Sequence, residues 1–192
     1  TEQERAAQLA RVVHKTDNTG IVHSLTDAQA ILESGYCTTE LAVNANNIFG
    51  MKCTLSGNSW PTVWDGKSYY EKYSLEYENG QWVNRKAKFR KYPCIEDSIK
   101  DHSLYLMNAM KGSVRRYPDI EKIKNYKNAI RLVKAGGYAT DPNYVDKLEK
   151  IIEKYKLYAC DGNNRTDDTS NPTVTGSVFV VQAGAFKYKE NA

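Results

Sequence analysis

The sequence predicts an α+β fold: a mainly α-helical body carrying a small three-stranded antiparallel β-lobe. Two observations predict the layout. Apolar residues recur at helical spacing up to about residue 46 and again after Pro93. Between these stretches the dipeptides Asp65-Gly66 and Asn79-Gly80 mark tight hairpin turns. A third observation sets the scale. A chain of 192 residues that is 41% hydrophobic and 26% charged is long enough, and apolar enough, for one domain with a sizeable core and a tail.

The elements follow in order. Residues 2–15 carry Ala6, Leu9, Ala10, Val12 and Val13 as one helical stripe. Thr16 to Gly20 reads as a loop. A short amphipathic helix follows, with Leu25, Ala28, Ile31 and Leu32 facing the core, Ser24 or Thr26 as its cap, and Gly35 as its left-handed stop. Residues 39–46 make another short helix, and 54–60 are polar and loop-like. Residues 62–89 are expected to form the three-stranded lobe. Pairing across Asn79-Gly80 sets Tyr77 opposite Trp82 and Glu76 opposite Val83, and puts Glu71 and Glu76 on opposite faces. Helices are predicted over 95–111, over 119–134 ending at Gly136-Gly137, and from Asp141-Pro142 to about Tyr155.

Residues 1–158 are taken as the domain. Residues 159–176, rich in Asn, Asp, Thr, Gly and Ser without apolar periodicity, read as a flexible linker. Residues 177–192 look like a strand that cannot bury itself, the start of a second domain cut short. The chain begins at Thr1 and shows no signal-peptide pattern, so its natural start is expected to lie upstream.

Several function classes fall away. No apolar run approaches a membrane span, so no membrane insertion is expected. Cys37, Cys53, Cys94 and Cys160 have no metal spacing and His14, His23 and His102 are scattered, so neither a metal nor another cofactor is expected. The net charge of +4 suits a solvated surface or a polyanionic partner. No phosphate loop, dinucleotide fingerprint or basic-aromatic ladder supports a nucleotide or nucleic-acid role. Fourteen tyrosines and three tryptophans supply rings for the core and for stacking on sugars.

The chemistry-bearing residue is Glu33, in the last turn of the second helix. The negative end of the helix dipole and the apolar and aromatic neighbours Leu32 and Tyr36 all disfavour its ionised form. A raised pKa is what a general acid needs near neutral pH.

The strings AQAILESGY (28–36), NIFGMK (47–52), EYENGQW (76–82), KFRKY (88–92), SIKDH (98–102) and GYATDPNY (137–144) resemble, in order, the motif series of glycoside hydrolase family 73. These are bacterial endo-β-N-acetylglucosaminidases of peptidoglycan, with a lysozyme-like plan, and the resemblance covers roughly residues 20–157. It implies Glu33 as the general acid. It implies Glu76 as the second acid on the β-lobe, positioning water, with Glu71 the runner-up and Asp65 a weaker one. It places Tyr138 near the reacting sugar and gives Asn47 and Phe49 to the cleft floor. Tyr36, Tyr144 and Trp64 are assigned to substrate binding. Trp60 and Trp82 are further candidate platforms, with sheet packing the preferred reading for Trp82. Where the family carries glycine this chain has Cys37 and Cys53, which fits a disulfide across the cleft wall or two free thiols. The segment 178–192 resembles the opening of a SPOR domain, a glycan-binding module.

The implied function is hydrolysis of the β-1,4 bond between N-acetylglucosamine and N-acetylmuramic acid, by a monomer acting on peptidoglycan glycan strands outside the cell or in the wall. A lytic transglycosylase and a non-catalytic wall-binding module are the alternatives.

Overall fold

The computed structural model describes residues 1–55 and 60–162, excepting the side chains of Ser74, Glu76, Tyr77 and Glu78. Helix α1 (Glu2–Thr16) opens on a capping box, in which Glu4 N–H donates to the Thr1 hydroxyl and the Thr1 ammonium to the Glu4 carboxylate. Its stripe Ala6, Leu9, Ala10 and Val13 is buried.

Helix α2 (His23–Ser34) is the axis of the core, buried at every position from Ser24 to Ile31. Neither Ser24 nor Thr26 caps it. Both lie inside the helix, its first residue follows Val22, and no side chain of its own closes the first turn. The carboxylate of Asp161 does so instead, accepting from Ser24 N–H at 2.9 Å and from the Ser24 hydroxyl. The described body thus runs to Asp161, past a 3-10 turn (Leu157–Cys160). The rest of the expected linker and the strand at 177–192 lie outside the described residues. At the other end of α2, Gly35 takes the left-handed conformation, φ 54°. Helix α3 (Glu40–Ala45) is capped by the Thr39 hydroxyl.

The lobe has two long strands, not three. β1 (Tyr69–Glu78) and β2 (Gln81–Arg90) pair antiparallel in the expected register, Glu76 opposite Val83 and Tyr77 opposite Trp82. Asn79 and Gly80 both have positive φ, as a two-residue hairpin turn requires. Asp65-Gly66 turns differently. The Asp65 carboxylate accepts Lys67 N–H, Ser68 N–H and the Ser68 hydroxyl, so local side-chain bonds take the chain out of the ladder. The lobe's other edge gains one bridge, Lys52 to Phe89.

Helix α4 (Ile95–Asn108) stops three residues short of the predicted end. Met110–Lys111 (β3) pairs with Val114–Arg115 (β4) in a small hairpin that the sequence reading missed. The stretch expected as one helix over 119–134 divides into a 3-10 turn (Ile120–Lys122) and α5 (Tyr126–Ala135), because the Asn125 side chain caps a new start. Helix α6 (Tyr144–Tyr155) begins two residues beyond Pro142.

Two apolar clusters result. The main one gathers the faces of α1, α2, α4, α5 and α6. A small one, Leu41, Ala45 and Phe89 with Tyr70 and Ala87 against them, seats the root of the hairpin on α3. Beneath that root Arg90 and Asp101 form a buried ion pair at 2.7 Å. The Asp101 carboxylate also accepts from Trp60 Nε1, Thr62 Oγ1 and Tyr92 Oη, so the KFRKY and SIKDH strings are joined in one buried network.

All four cysteines are free. Cys37 sits in the left-handed turn after α2, bonded through its N–H to Ser34 Oγ at 2.8 Å. Cys53 is tied to β2 through Lys88 O at 2.9 Å. Of the two arrangements expected for Cys37 and Cys53, the structure shows free thiols and not the bridge, and burial raises both thiol pKa values.

Candidate active site

A cleft of about 470 Å³ opens between the helical body and the hairpin. Leu32 and Glu33 reach it from the last turn of α2, Phe49 to Lys52 from the loop below, Leu75 and Trp82 from the hairpin, and Tyr138 to Asp141 from the segment before α6. Tyr144 and Lys147, one helical turn apart on α6, complete the wall around Glu33.

Glu33 is half-buried, with one side open to the cleft. Its pKa is raised to about 7. Desolvation is the main cause, a nearby Asp141 adds to it, and a hydrogen bond from the Tyr144 phenol and the charge of Lys147 oppose it. Gln29 Nε2 donates to Tyr144 Oη at 3.1 Å. Gln29 and Glu33 lie one turn apart on α2, so a single helix supplies both the carboxyl and the anchor of the phenol that touches it. Lys147 Nζ pairs with the Asp141 carboxylate at 2.6 Å, and this pair holds opposite charges beside Glu33.

Tyr138 stacks on Tyr144 with ring centres 5.9 Å apart and meets His102 edge-on at 5.7 Å. Its hydroxyl is buried and has no hydrogen-bond partner among the described residues. Desolvation pushes its pKa well up, so it stays a neutral phenol with a proton to donate. Phe49 forms part of the floor and stacks on the buried His102 at 3.8 Å. Burial drives that imidazole's pKa down to about 3, which leaves an uncharged ring under the floor.

The structure brings Glu33, Phe49, Tyr138 and Tyr144 together, and it places three expected residues elsewhere. Asn47 is buried under the floor. Its amide donates to Met51 O and Arg90 O and accepts Met51 N–H, so it shapes the turn that presents Phe49 and Gly50. Tyr36 is outside the cleft lining, its hydroxyl 2.8 Å from that of Tyr155. Trp64 is also outside the lining: its indole donates to Ser68 O and its ring lies against the Arg90 guanidinium at 4.7 Å. The exposed ring that lines the cleft is Trp82, which the sequence reading had assigned to sheet packing. Trp60 is buried in the Asp101 network. Glu71 is engaged across the strands with Lys86 at 2.6 Å. The Glu76 side chain lies outside the described residues, though its backbone register is as expected. Gln29, Lys147 and Asp141 were missed. Spacing on α2 and α6 could have flagged Gln29 and Lys147 as neighbours of Glu33 and Tyr144.

Comparison with known proteins matches residues 10–157 to the glucosaminidase family, described as mannosyl-glycoprotein endo-beta-N-acetylglucosaminidase. The chain belongs to that family. Among glucosaminidase relatives, the exo-glucosaminidase LytG of Bacillus subtilis is 37% identical over 137 residues, covering 71% of this chain and 45% of that protein. The peptidoglycan hydrolase FlgJ of Salmonella typhimurium is 34% identical, covering 73% and 42%. The chain spans less than half the length of these curated relatives. The catalytic domain of the autolysin Auto from Listeria monocytogenes superposes with a TM-score of 0.63 at 27% identity, over 82% of this chain and 86% of that one. The lysozyme-like, helix-dominated glucosaminidase fold is thus established for this body.

Proposed function

We propose that this glucosaminidase domain hydrolyses peptidoglycan, cutting the β-1,4 bond on the reducing side of N-acetylglucosamine, as a monomer acting at the cell wall. One observation carries the reading: a carboxyl with its pKa near 7 stands at the wall of an open, aromatic-lined cleft, beside the Tyr144 phenol that Gln29 anchors. At neutral pH a large share of Glu33 is protonated and able to protonate the leaving oxygen. The Tyr138 phenol, whose hydroxyl has no hydrogen-bond partner among the described residues, supplies a donor for the acetamido group or for charge developing at the anomeric centre. Phe49 and Trp82 offer ring faces to the sugars. Glu76 is the base that positions water. Glu71, the other hairpin glutamate considered, is already held by Lys86.

The test is digestion of purified peptidoglycan followed by borohydride reduction and mass spectrometry. N-acetylglucosamine should appear as its alditol. Reduced N-acetylmuramic acid would make the domain a muramidase, and anhydro-muramic ends a transglycosylase. Glu33→Gln should lower the rate about 10²- to 10⁴-fold. Glu76→Gln should abolish most activity while Glu71→Gln retains it, and the reverse would reassign the base.

A further inference from the structure

A cation shares the cleft wall with Glu33. Lys147 lies one turn beyond Tyr144 on α6, and the Tyr144 phenol bonds Glu33. Its ammonium is a compact charge on a flexible four-carbon stem. An ammonium paired with a carboxyl favours the anion and lowers the carboxyl pKa by about 1–3 units. With Lys147 as its partner, Glu33 would have released most of its proton at neutral pH, and a general acid needs that proton. The ammonium is instead engaged by Asp141. One oxygen of the Asp141 carboxylate accepts from Lys147 Nζ at 2.6 Å, and the other accepts Asn143 N–H at 2.9 Å. Lys134 Nζ, from α5, donates to the Asp141 carbonyl at 2.7 Å and to the Ala139 carbonyl at 2.9 Å, which staples the segment that carries Asp141. The Asp141 side chain is 15% exposed and that of Lys147 49%, so the carboxylate is the fixed member of the pair and the ammonium the adjustable one. The bond from Lys147 holds the Asp141 carboxyl below its usual range, so it stays charged wherever Glu33 titrates. The other titratable groups lining the cleft among the described residues are Lys52 from the loop, Tyr105 from α4 and Tyr138, with the uncharged His102 beneath Phe49.

We propose that Asp141 is a positioning residue: by holding the Lys147 ammonium on its own carboxylate, it keeps that ammonium from pairing with Glu33 and so preserves the proton of the acid. The proposal rests on the reading of Glu33 as the general acid. Asp141 acts through Lys147 and not on the sugar. Lys134 supports it from α5, so three bonds to Asp141 keep one cation off the carboxyl.

The test compares the full chain with Asp141→Asn, Lys147→Met and the double variant. Asparagine keeps an acceptor for the Asn143 N–H and removes the charge; Asp141→Thr, also a capping residue, replaces it if Asp141→Asn does not fold. Two quantities are read: the pH dependence of kcat/KM on solubilised peptidoglycan, and the titration midpoint of the Glu33 carboxyl by carbon-13 NMR, its signal assigned by its loss in Glu33→Gln. In Asp141→Asn the alkaline limb and the midpoint should both move down by about one pH unit or more. The rate at pH 8 then falls about tenfold, while the rate at pH 5 is kept. Lys147→Met should move both upwards, and the double variant should return close to the wild-type midpoint. An unmoved midpoint in Asp141→Asn, whatever its rate, would overturn the proposal, and so would a downward shift that persists in the double variant. Glu33→Gln separates the two readings. If it clears walls like the wild type, Glu33 is not the acid, and the NMR midpoints still report whether Asp141 restrains Lys147. If it is inactive while the midpoint of Asp141→Asn stays in place, only the positioning role fails.

Discussion

At the scale of single residues the decisive fact is a carboxyl that prefers its proton. Glu33 titrates near 7 when folded, against about 4.5 for an ordinary glutamate. The sign of the consequence follows. A raised pKa means the folded state holds the proton that the unfolded chain releases. This contribution to stability is therefore complete below about pH 4.5 and is lost as pH rises towards 7. Each unit of difference corresponds to about 1.4 kcal/mol, so the ceiling is about 3 kcal/mol, reduced because one side of the carboxyl meets water. Glu33→Gln removes the group that must be desolvated as an anion. The variant should be more stable than the wild type at pH 8, with the gap closing towards pH 4 in urea melts at both pH values. Wild-type activity should fall on the alkaline side as Glu33 loses its proton. A gap independent of pH would show that Glu33 titrates normally. Glu33 was legible in the sequence because a helix end, a glycine stop and apolar neighbours are all local. Gln29–Tyr144 was not, since its partners are 115 positions apart.

At the scale of elements, the helices were legible wherever apolar periodicity ran unbroken, as in α1 and α6. The β-lobe was read correctly at Asn79-Gly80, where the turn dipeptide sits between two pairing strands. It was misread at Asp65-Gly66, where the same kind of dipeptide serves a side-chain-closed turn. That Trp82 lines the cleft and Trp64 does not escaped the sequence reading for a related reason. Ring placement depends on which strand edge faces the body, and a sequence does not display that. The hairpin's position relative to α4 depends on Asp101, which is fully buried and accepts four hydrogen bonds, from Arg90, Trp60, Thr62 and Tyr92. Asp101→Ala leaves the Arg90 guanidinium buried without its counter-charge. The cost should be about 3–5 kcal/mol, read as a lower urea midpoint with an unchanged slope. A loss below about 1 kcal/mol would mean that water replaces the carboxylate and that the hairpin root is held by Phe89 and Leu41 instead.

At the scale of the whole molecule, helix α2 is held at both ends by parts of the chain that are remote in sequence. Tyr144 from α6 reaches Glu33 at its C-terminal end. Asp161, beyond α6, closes the N-terminal end, 137 residues from Ser24. A helix whose first N–H groups lack a cap of their own gains from such a carboxylate twice, by hydrogen bonding and by charge at the positive end of the dipole. The same region packs His14 against the buried Asp27 at 2.8 Å, so α1, α2 and the end of the domain meet over one polar cluster. None of this shows in the sequence, where Asp161 stands among residues of linker composition. Asp161→Ala in the full chain should therefore behave as the loss of a half-buried cap, about 1–2 kcal/mol. That corresponds to a melting temperature lower by about 2–8 °C for a chain of this size. Asp161→Asn keeps an acceptor for the Ser24 N–H and should recover part of the loss. If Asp161→Ala melts like the wild type, the chain beyond Leu157 does not secure α2, and the domain ends where the sequence first placed its boundary, at residue 158.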